Sequence, residues 1–239
     1  MSQALLVKLL LVGPVLLFSI IAHEIAHGYA ALRQGDTTAY DLGRLTWNPL
    51  KHIDPWMSIL LPLLLLRAGF PVIGGAKPVP VNPRNYRNYK RGDIIVSLAG
   101  VTANVAIAIA CAILVALLGL VGRLSPLLGQ VCGILQAMAK FGILLNLWLA
   151  VFNLIPIPPL DGSHVMKYLL PPSWALRYQQ IGFYGIFILI LLLYLGQYLH
   201  WGVLNFVIEP AVFGYQLLSA PVDPLLLPAA SHWLGILFG

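Results

Sequence analysis

The chain has 239 residues, of which 59% are hydrophobic and only 9% are charged, and its net charge is +6. An ordinary soluble domain has about a quarter of its residues charged, so this composition excludes a water-soluble globular protein. The mean hydropathy of +0.87 agrees. The sequence predicts a single membrane-embedded domain over residues 1–239.

Apolar segments separated by short polar stretches make up most of the chain. In chain order they are Leu5–Leu32, Ile53–Phe70, Ile94–Val121, Leu127–Ile155 and Ile181–Trp201, with weaker candidates at Val203–Leu218 and Leu225–Phe238. Their lengths predict an all-α polytopic membrane protein with about five or six transmembrane helices. The sequence Arg33-Gln34-Gly35-Asp36 is expected to end the first helix.

The segment Ile53–Phe70 differs from the others because it is short, contains Pro62 in its middle and carries Arg67 near its end. These features favour a segment that enters and leaves the membrane on one side, or that lies along its surface. Both alternatives stay open from the sequence.

A stretch rich in proline and glycine, Gly74–Pro83, lies between the second and third apolar segments. Alternating Val and Pro residues exclude a helix, because proline lacks an N–H donor and clashes with the preceding turn. We expect a short membrane-associated β region here, formed by an extended edge strand, or else a loop at the membrane surface.

Two polar residues inside the fourth apolar segment have structural interpretations. Lys140 is interpreted as a residue that extends its ammonium group to the end of the membrane. Asn146 is predicted to make a hydrogen bond between helices.

The sequence His23-Glu24-Ile25-Ala26-His27 is the pattern His-Glu-x-x-His on a predicted helix. Residues four apart lie on one helical face, so His23 and His27 can direct two imidazole nitrogens at one metal ion. Glu24 is then close enough to take a proton from a water at the metal. Three such polar residues in one apolar helix are costly unless they face an interior cavity, which favours a zinc site.

A zinc site needs at least one more protein ligand, and Asp161 is the strongest candidate. It follows Pro156, Pro158 and Pro159, which break the fourth helix, and broken backbone at membrane depth is tolerated where it lines a cavity. The alternative is that Asp161 only caps the next helix. The remaining candidates are His52, His164, His200, His232, Asp36, Asp41, Asp54, Asp93, Glu209 and Asp223.

In these motifs the chain resembles the site-2 protease family of intramembrane zinc metalloproteases (M50-type), over roughly Ile20–Lys167. The motifs are His23-Glu24-x-x-His27, the Gly-Gly stretch before Lys77, Ala99-Gly100-x-x-x-Asn104 and Asn153-x-x-Pro156-x-x-x-x-Asp161-Gly162. The resemblance is to a compact prokaryotic branch without PDZ or CBS domains. One departure is Val101, where the family often has proline.

The resemblance implies that His23, His27 and Asp161 bind one Zn²⁺ per chain and that Glu24 is the general base. It also implies that Asn153 binds the substrate carbonyl and that Asn104 positions the substrate backbone. The catalytic core would be three helices within residues 5–170, with accessory helices in residues 181–239. The implied substrates are single-span membrane proteins or remnant signal peptides, cleaved in or near their transmembrane helices.

The basic residues lie in the gaps between apolar segments, which indicates membrane orientation and contact with the lipid bilayer rather than nucleic-acid binding. If Ile53–Phe70 does not cross the membrane, 11 of the 14 basic residues share one face. They are Arg33, Arg44, Lys51, Arg67, Lys77, Arg84, Arg87, Lys90, Arg91, Lys167 and Arg177. We therefore expect a multi-pass protein of the prokaryotic cytoplasmic membrane with its active site towards the cytoplasm.

Two other functions compete with proteolysis. A zinc or proton-coupled transporter would use the His and Asp residues as a transient site, but the inverted repeats typical of transporters are not visible in the sequence. An inactive homologue that binds membrane helices would have no need of Glu24. For residues 199–239, gating of substrate access and formation of a homo-oligomer both stay open.

Overall fold

The computed structural model describes residues 3–60, 75–182 and 205–238, together with positions 64, 67, 184, 185, 187, 188 and 191. In chain order the helices are α1 (Gln3–Gln34), α2 (Thr38–Asp41), α3 (Tyr89–Gly122), α4 (Pro126–Asn153), α5 (Asp161–Met166), α6 (Pro172–Ile181), α7 (Asn205–Ser219) and α8 (Pro228–Phe238). Single 3₁₀ turns lie at Pro49–His52, Pro83–Asn85 and Asp223–Leu225, and a π-helical turn covers Pro55–Leu60.

Three of these helices, α1, α3 and α4, are long and apolar enough to cross a membrane. The prediction of an all-α, multi-pass membrane protein is therefore confirmed, and three of the predicted spans are found close to their expected bounds. Within the described residues, helices α7 and α8 have 15 and 11 residues, fewer than the roughly 20 needed to span a bilayer. Residues 61–63, 65, 66 and 68–70 of Ile53–Phe70 lie outside the described residues, as does most of Ile181–Trp201, so the sequence-based interpretation of Ile53–Phe70 is not tested.

The end of α1 follows from its sequence. Gly35 has a φ of 109°, a left-handed conformation that glycine adopts without steric cost. The N–H of Gly35 donates to the carbonyl of Leu32 at 3.1 Å, and the N–H of Asp36 donates to the carbonyl of Ala31 at 3.0 Å. These two bonds satisfy carbonyls that the helix end would otherwise leave unpaired. The predicted stop after Arg33 is confirmed.

The chain packs as two compact units. The packing unit comprises Met1–Ser19, Asn104–Leu149 and Glu209–Gly239, and the site unit comprises Ile20–Ala103 and Ala150–Ile208.

Hydrogen bonds between helices hold the packing unit together. The amide of Asn146 donates to the hydroxyl of Ser19 at 2.9 Å, which confirms the predicted bond between helices. The amide of Gln136 donates to the carbonyls of Val115 and Leu225, at 2.9 and 3.1 Å. Its oxygen accepts from the N–H of Leu227 at 3.0 Å, so this single side chain fixes the turn before α8.

The interpretation of Lys140 was wrong. Its side chain is buried, and its ammonium group forms an ion pair with Asp223 instead of extending to the membrane surface. The ammonium also lies 5.4 Å from the ring centroid of Tyr215. A buried ammonium needs a counter-charge, and the turn after α7 supplies one.

The expected β region is also wrong for the described residues 75–82, which contain no strand. Pro78 and Pro80 have no N–H to contribute to a ladder. The N–H groups of Lys77 and Val79 donate instead to the carbonyl of His52 at 2.7 Å and to Glu24 at 2.8 Å. The stretch is a loop whose hydrogen bonds are directed into the site unit.

Candidate metal centre

Helix α1 places the two predicted imidazoles side by side. The Nε2 atoms of His23 and His27 lie 3.0 Å apart, and the ring planes are nearly perpendicular, at 84°. The four-residue spacing on one helix accounts for this approach. His23 is buried, with 8% of its surface exposed. Two imidazole nitrogens therefore converge on one point at the side of an apolar helix.

The chain brings Asp161 to the same point after the break that follows α4. Three prolines interrupt the helix, the Pro158–Pro159 peptide bond is cis, and Asp161 is the first residue of α5. A side chain at Gly162 would collide with the carbonyl of Leu154, so only glycine permits this close turn. The N-cap residue of α5 is Leu160, so the alternative interpretation of Asp161 as the cap is wrong.

The three donors fit a zinc ion. The Oδ2 atom of Asp161 lies 3.3 Å from Nε2 of His23 and 3.4 Å from Nε2 of His27. These distances are longer than charge-assisted hydrogen bonds, at about 2.7–2.9 Å. They match the separation of about 3.3–3.4 Å between tetrahedral ligand atoms that lie about 2.0–2.1 Å from zinc, and the Nε2–Nε2 distance of 3.0 Å is somewhat shorter. This Oδ2 atom is also buried without a hydrogen-bond partner.

The pKa of Asp161 favours the ionised form, which is the form that can bind a metal ion. Burial alone would raise its pKa, but the imidazoles of His23 and His27 outweigh burial and lower the pKa to about 2. The donor set is thus two imidazoles and one carboxylate within 4.8 Å of one another, the only such group among the described residues.

A backbone carbonyl orients one of the imidazoles. Nδ1 of His27 lies 2.7 Å from the carbonyl oxygen of Val96 on α3. A carbonyl can only accept, so Nδ1 carries the proton, and the lone pair of Nε2 is left available to a metal ion. The next turn of α3 leaves room for both rings. A Cβ at Gly100 would lie 2.5 Å from Cε1 of His23 and from Nε2 of His27.

Glu24 contacts the loop 75–82. Its Oε2 atom accepts a hydrogen bond of 2.8 Å from the N–H of Val79. The loop itself is held at both ends, because the guanidinium of Arg44 donates to the carbonyl of Lys77 at 3.0 Å and the N–H of Asn82 donates to Asp36 at 2.6 Å. A backbone N–H thereby fixes the carboxylate that lies next to His23 in the chain.

The two predicted asparagines occupy different places. Asn153 is the last residue of α4 and is half-buried in the site unit. Asn104 is fully buried on α3, and neither of its amide atoms has a hydrogen-bond partner. Asn104 belongs to the packing unit, whereas His23, His27, Asp161 and Glu24 all belong to the site unit.

Several residues that shape the site were not predicted in these roles. Val96 and Val79 act through backbone groups, which carry no residue-type signature. Asp93, considered above only as a candidate ligand, pairs instead with Lys167 at 2.5 Å. The only feature of the sequence that could have indicated this ion pair is that Asp93 is an acidic residue near the start of an apolar helix.

Two imidazoles and a carboxylate around one point, with Glu24 beside them on a helix long and apolar enough to cross a membrane, are the arrangement expected of a membrane metalloprotease that uses zinc. Comparison with known proteins agrees. Residues 13–193 match the profile of Peptidase family M50. The chain therefore belongs to peptidase family M50, the family of the site-2 proteases.

Relatives occur in bacteria and archaea. The chain is 37% identical over 213 residues to "Putative zinc metalloprotease YwhC" of Bacillus subtilis, a match that covers 88% of this chain and 92% of that protein. It is 32% identical to Rip2 of Mycolicibacterium smegmatis, which has the same description, over 74% of this chain and 64% of that protein. A Methanocaldococcus jannaschii protein, MJ0611, is 29% identical over 72% of this chain and 74% of that protein. No solved structure matches the chain at a significant level.

Proposed function

We propose that this protein is an intramembrane zinc endopeptidase that hydrolyses peptide bonds in or near the transmembrane helices of other membrane proteins. The observation that carries this proposal is the convergence of His23, His27 and Asp161 beside Glu24 on a helix that is apolar enough to span the bilayer. Charged and polar groups at such a position are costly unless they serve a function.

In this proposal His23, His27 and Asp161 hold the zinc ion through Nε2, Nε2 and a carboxylate oxygen. Bound there, zinc supplies Lewis-acid activation of water and of the scissile carbonyl. The Val96 carbonyl keeps the proton of His27 on Nδ1, so that Nε2 stays available.

Glu24 is the general base. Its carboxylate removes a proton from the attacking water and delivers it to the leaving amide nitrogen. The Oε2 atom is held by the N–H of Val79 at 2.8 Å, and we assign the proton transfer to the other oxygen, Oε1. Because Glu24 is already held in one orientation, little conformational entropy of its side chain is lost when the reaction takes place.

The substrate must be locally unwound before cleavage, because a helix hides its carbonyls in internal hydrogen bonds. We place the unwound stretch beside the loop 75–82, which is non-helical and contacts Glu24. By the resemblance to site-2 proteases, Asn153 binds the scissile carbonyl and Asn104 positions the substrate backbone.

The positions of the basic residues support a cytoplasmic-membrane protein with its active site towards the cytoplasm. The substrates we propose are single-span proteins or the signal-peptide remnants left in the membrane after secretion.

The decisive experiment compares the wild type with Glu24→Gln and His23→Ala by membrane proteomics and by zinc analysis. We expect Glu24→Gln to keep its zinc and to lose cleavage by about 10²–10⁴-fold, because only the base is removed. Single-span fragments should then accumulate in the membrane. His23→Ala should lose both zinc and cleavage.

Undiminished cleavage by Glu24→Gln would contradict the role of Glu24 as base. Chelator-sensitive uptake of metal into vesicles, unchanged in Glu24→Gln, would instead indicate a transporter.

A further inference from the structure

A second group of charged side chains lies next to the metal-ligating residues, and none of the proposed chemistry uses it. At its centre is Asp93, near the start of α3, whose side chain is only 3% exposed. Oδ2 of Asp93 lies 2.5 Å from the ammonium of Lys167 and accepts a hydrogen bond of 2.9 Å from the hydroxyl of Tyr168. Oδ1 lies 3.3 Å from Nδ1 of His164.

All three partners of Asp93 come from α5 and the turn that follows it. His164 on α5 is three and four residues before Lys167 and Tyr168 in the turn that continues it, a spacing that places the three side chains on one side. Asp161 lies three residues before His164 and belongs to the same face. The face of α5 that presents the metal-ligating carboxylate is therefore the face bound to Asp93.

The opposing surface of α3 is equally regular. Asp93, Val96 and Gly100 are three and four residues apart and form one stripe along the helix. The carbonyl of Val96 accepts the hydrogen bond from His27, and Gly100 leaves space for the imidazoles of His23 and His27. This stripe contacts His23 and His27 directly. Through Asp93 it also binds α5, the helix that carries Asp161.

Helix α5 needs such an anchor. It has six residues, and its cap residue Leu160 makes no side-chain capping bond. A helix this short has little stability of its own, so its orientation depends on tertiary contacts. An ionised carboxylate can accept hydrogen bonds from an ammonium, a phenol and an imidazole at the same time. A neutral side chain of similar size accepts fewer and weaker hydrogen bonds.

We propose that Asp93 is the positioning residue for Asp161: by binding the face of α5 that carries Asp161, it sets that carboxylate in front of His23 and His27 at metal-ligand distance. Asp93 is not one of the three donors of the candidate metal centre, and it acts through α5. The inference rests on the proposed function, because it assumes that Asp161 is a zinc ligand.

The experiment measures zinc affinity of the full-length protein in detergent by competition with a chelator, on the folded fraction. Asp93→Asn removes the charge and leaves Lys167 buried without its counter-ion. Changes of outer-shell partners cost about 10–100-fold in metal affinity, and we expect a loss in this range. Tyr168→Phe removes one hydrogen bond and keeps the ion pair, so a smaller loss of about three- to tenfold is expected.

Asp223→Asn is the matched control, because it breaks another ion pair of a buried lysine, Lys140, in the packing unit. It should lower the thermal midpoint and leave zinc affinity within about twofold of the wild type. A merely structural role of Asp93 would give the same pattern as this control. Wild-type zinc affinity in both Asp93→Asn and Tyr168→Phe would overturn the proposal.

If Asp93→Asn does not fold, Tyr168→Phe decides alone, since it leaves the buried charges paired. His23→Ala distinguishes a failure of the proposed function from a failure of the role of Asp93. If His23→Ala keeps its zinc, the proposed function fails. If His23→Ala loses zinc while Asp93→Asn and Tyr168→Phe bind it normally, only the role of Asp93 fails.

Discussion

The backbone N–H of Val79 donates a hydrogen bond of 2.8 Å to the Oε2 atom of Glu24. Val79 lies between Pro78 and Pro80, so it is the one residue of this tripeptide that has an N–H. The alternation of Val and Pro, which excluded a helix here, also selects a single donor and directs it at the proposed general base. The loop 75–82 is therefore part of the proposed catalytic arrangement as well as the proposed contact for substrate.

We expect Val79→Pro to lower kcat by roughly ten- to hundredfold without loss of zinc. A hydrogen bond to a charged group contributes about 1.5–3 kcal/mol, and its removal frees the orientation of Glu24. The measurement is cleavage of a single-span substrate in detergent, together with bound zinc. Val79→Ala keeps the N–H and is the control, expected to stay within about threefold of the wild type. Equal activity of the two variants would show that this hydrogen bond does not matter.

Gly100→Ala should reduce zinc affinity by at least about tenfold. Its Cβ would lie 2.5 Å from atoms of both His23 and His27, closer than non-bonded atoms approach, so the imidazoles must move. Alanine favours a helix by about 1 kcal/mol relative to glycine, so a loss of helix stability does not explain such a result. Zinc affinity by chelator competition is the measurement. Gly13→Ala, on α1 with nothing within 4 Å of the added Cβ, should bind zinc like the wild type.

The parts of the site that follow local sequence rules could be predicted. His23 and His27 are four residues apart on one helix, so helical geometry alone brings them together. Asp161 required more, because it comes to α1 through a proline-rich break that periodicity does not describe. The resemblance to a family whose motifs follow one another in a known order supplied that long-range placement. The structure brings the three donors together.

The unpredicted parts depend on contacts between residues far apart in the chain. The Val96 carbonyl that orients His27 is 69 residues away, and the His164 imidazole that contacts Asp93 is 71 residues away. The expected strand at 75–82 failed for a related reason. Its available donors had better-placed acceptors in His52 and Glu24, which the sequence pattern could not reveal.

Asp36 should make stability depend on pH in the acid range. It is fully buried, and burial alone would raise its pKa, but hydrogen bonds from Asn82, Thr38 and Asn85 lower the pKa below its ordinary value of 3.8. Because the pKa of Asp36 is lower in the folded state than in the unfolded state, its charge stabilises the fold at pH values above the unfolded-state pKa. This contribution disappears as the pH falls through the folded-state pKa. Asp36→Asn should therefore lower the thermal midpoint at pH 7, and its difference from the wild type should shrink below about pH 4.

The control for Asp36 is Asp41→Asn, an exposed carboxylate that accepts from the hydroxyl of Thr37 at 2.7 Å. An exposed substitution changes stability by no more than about 0.5 kcal/mol, so no comparable effect is expected. A difference between Asp36→Asn and the wild type that stays constant from pH 7 to pH 3 would contradict the role of its charge.

Lys140 and Asp223 should respond unequally to removal, because their side chains are 6% and 47% exposed. Asp223→Asn leaves a buried ammonium without its partner, which we expect to cost about 3 kcal/mol in the free energy of unfolding, the lower end of the usual range because Asp223 is half-exposed. Lys140→Met removes the buried charge and leaves a carboxylate that water can reach, so its cost should stay within about 1 kcal/mol. The measurement is unfolding in detergent of both variants and of the double variant. The double variant should resemble Lys140→Met, since no buried charge is left to destabilise it. Equal costs for the two single variants would mean that Lys140 is solvated by something other than Asp223.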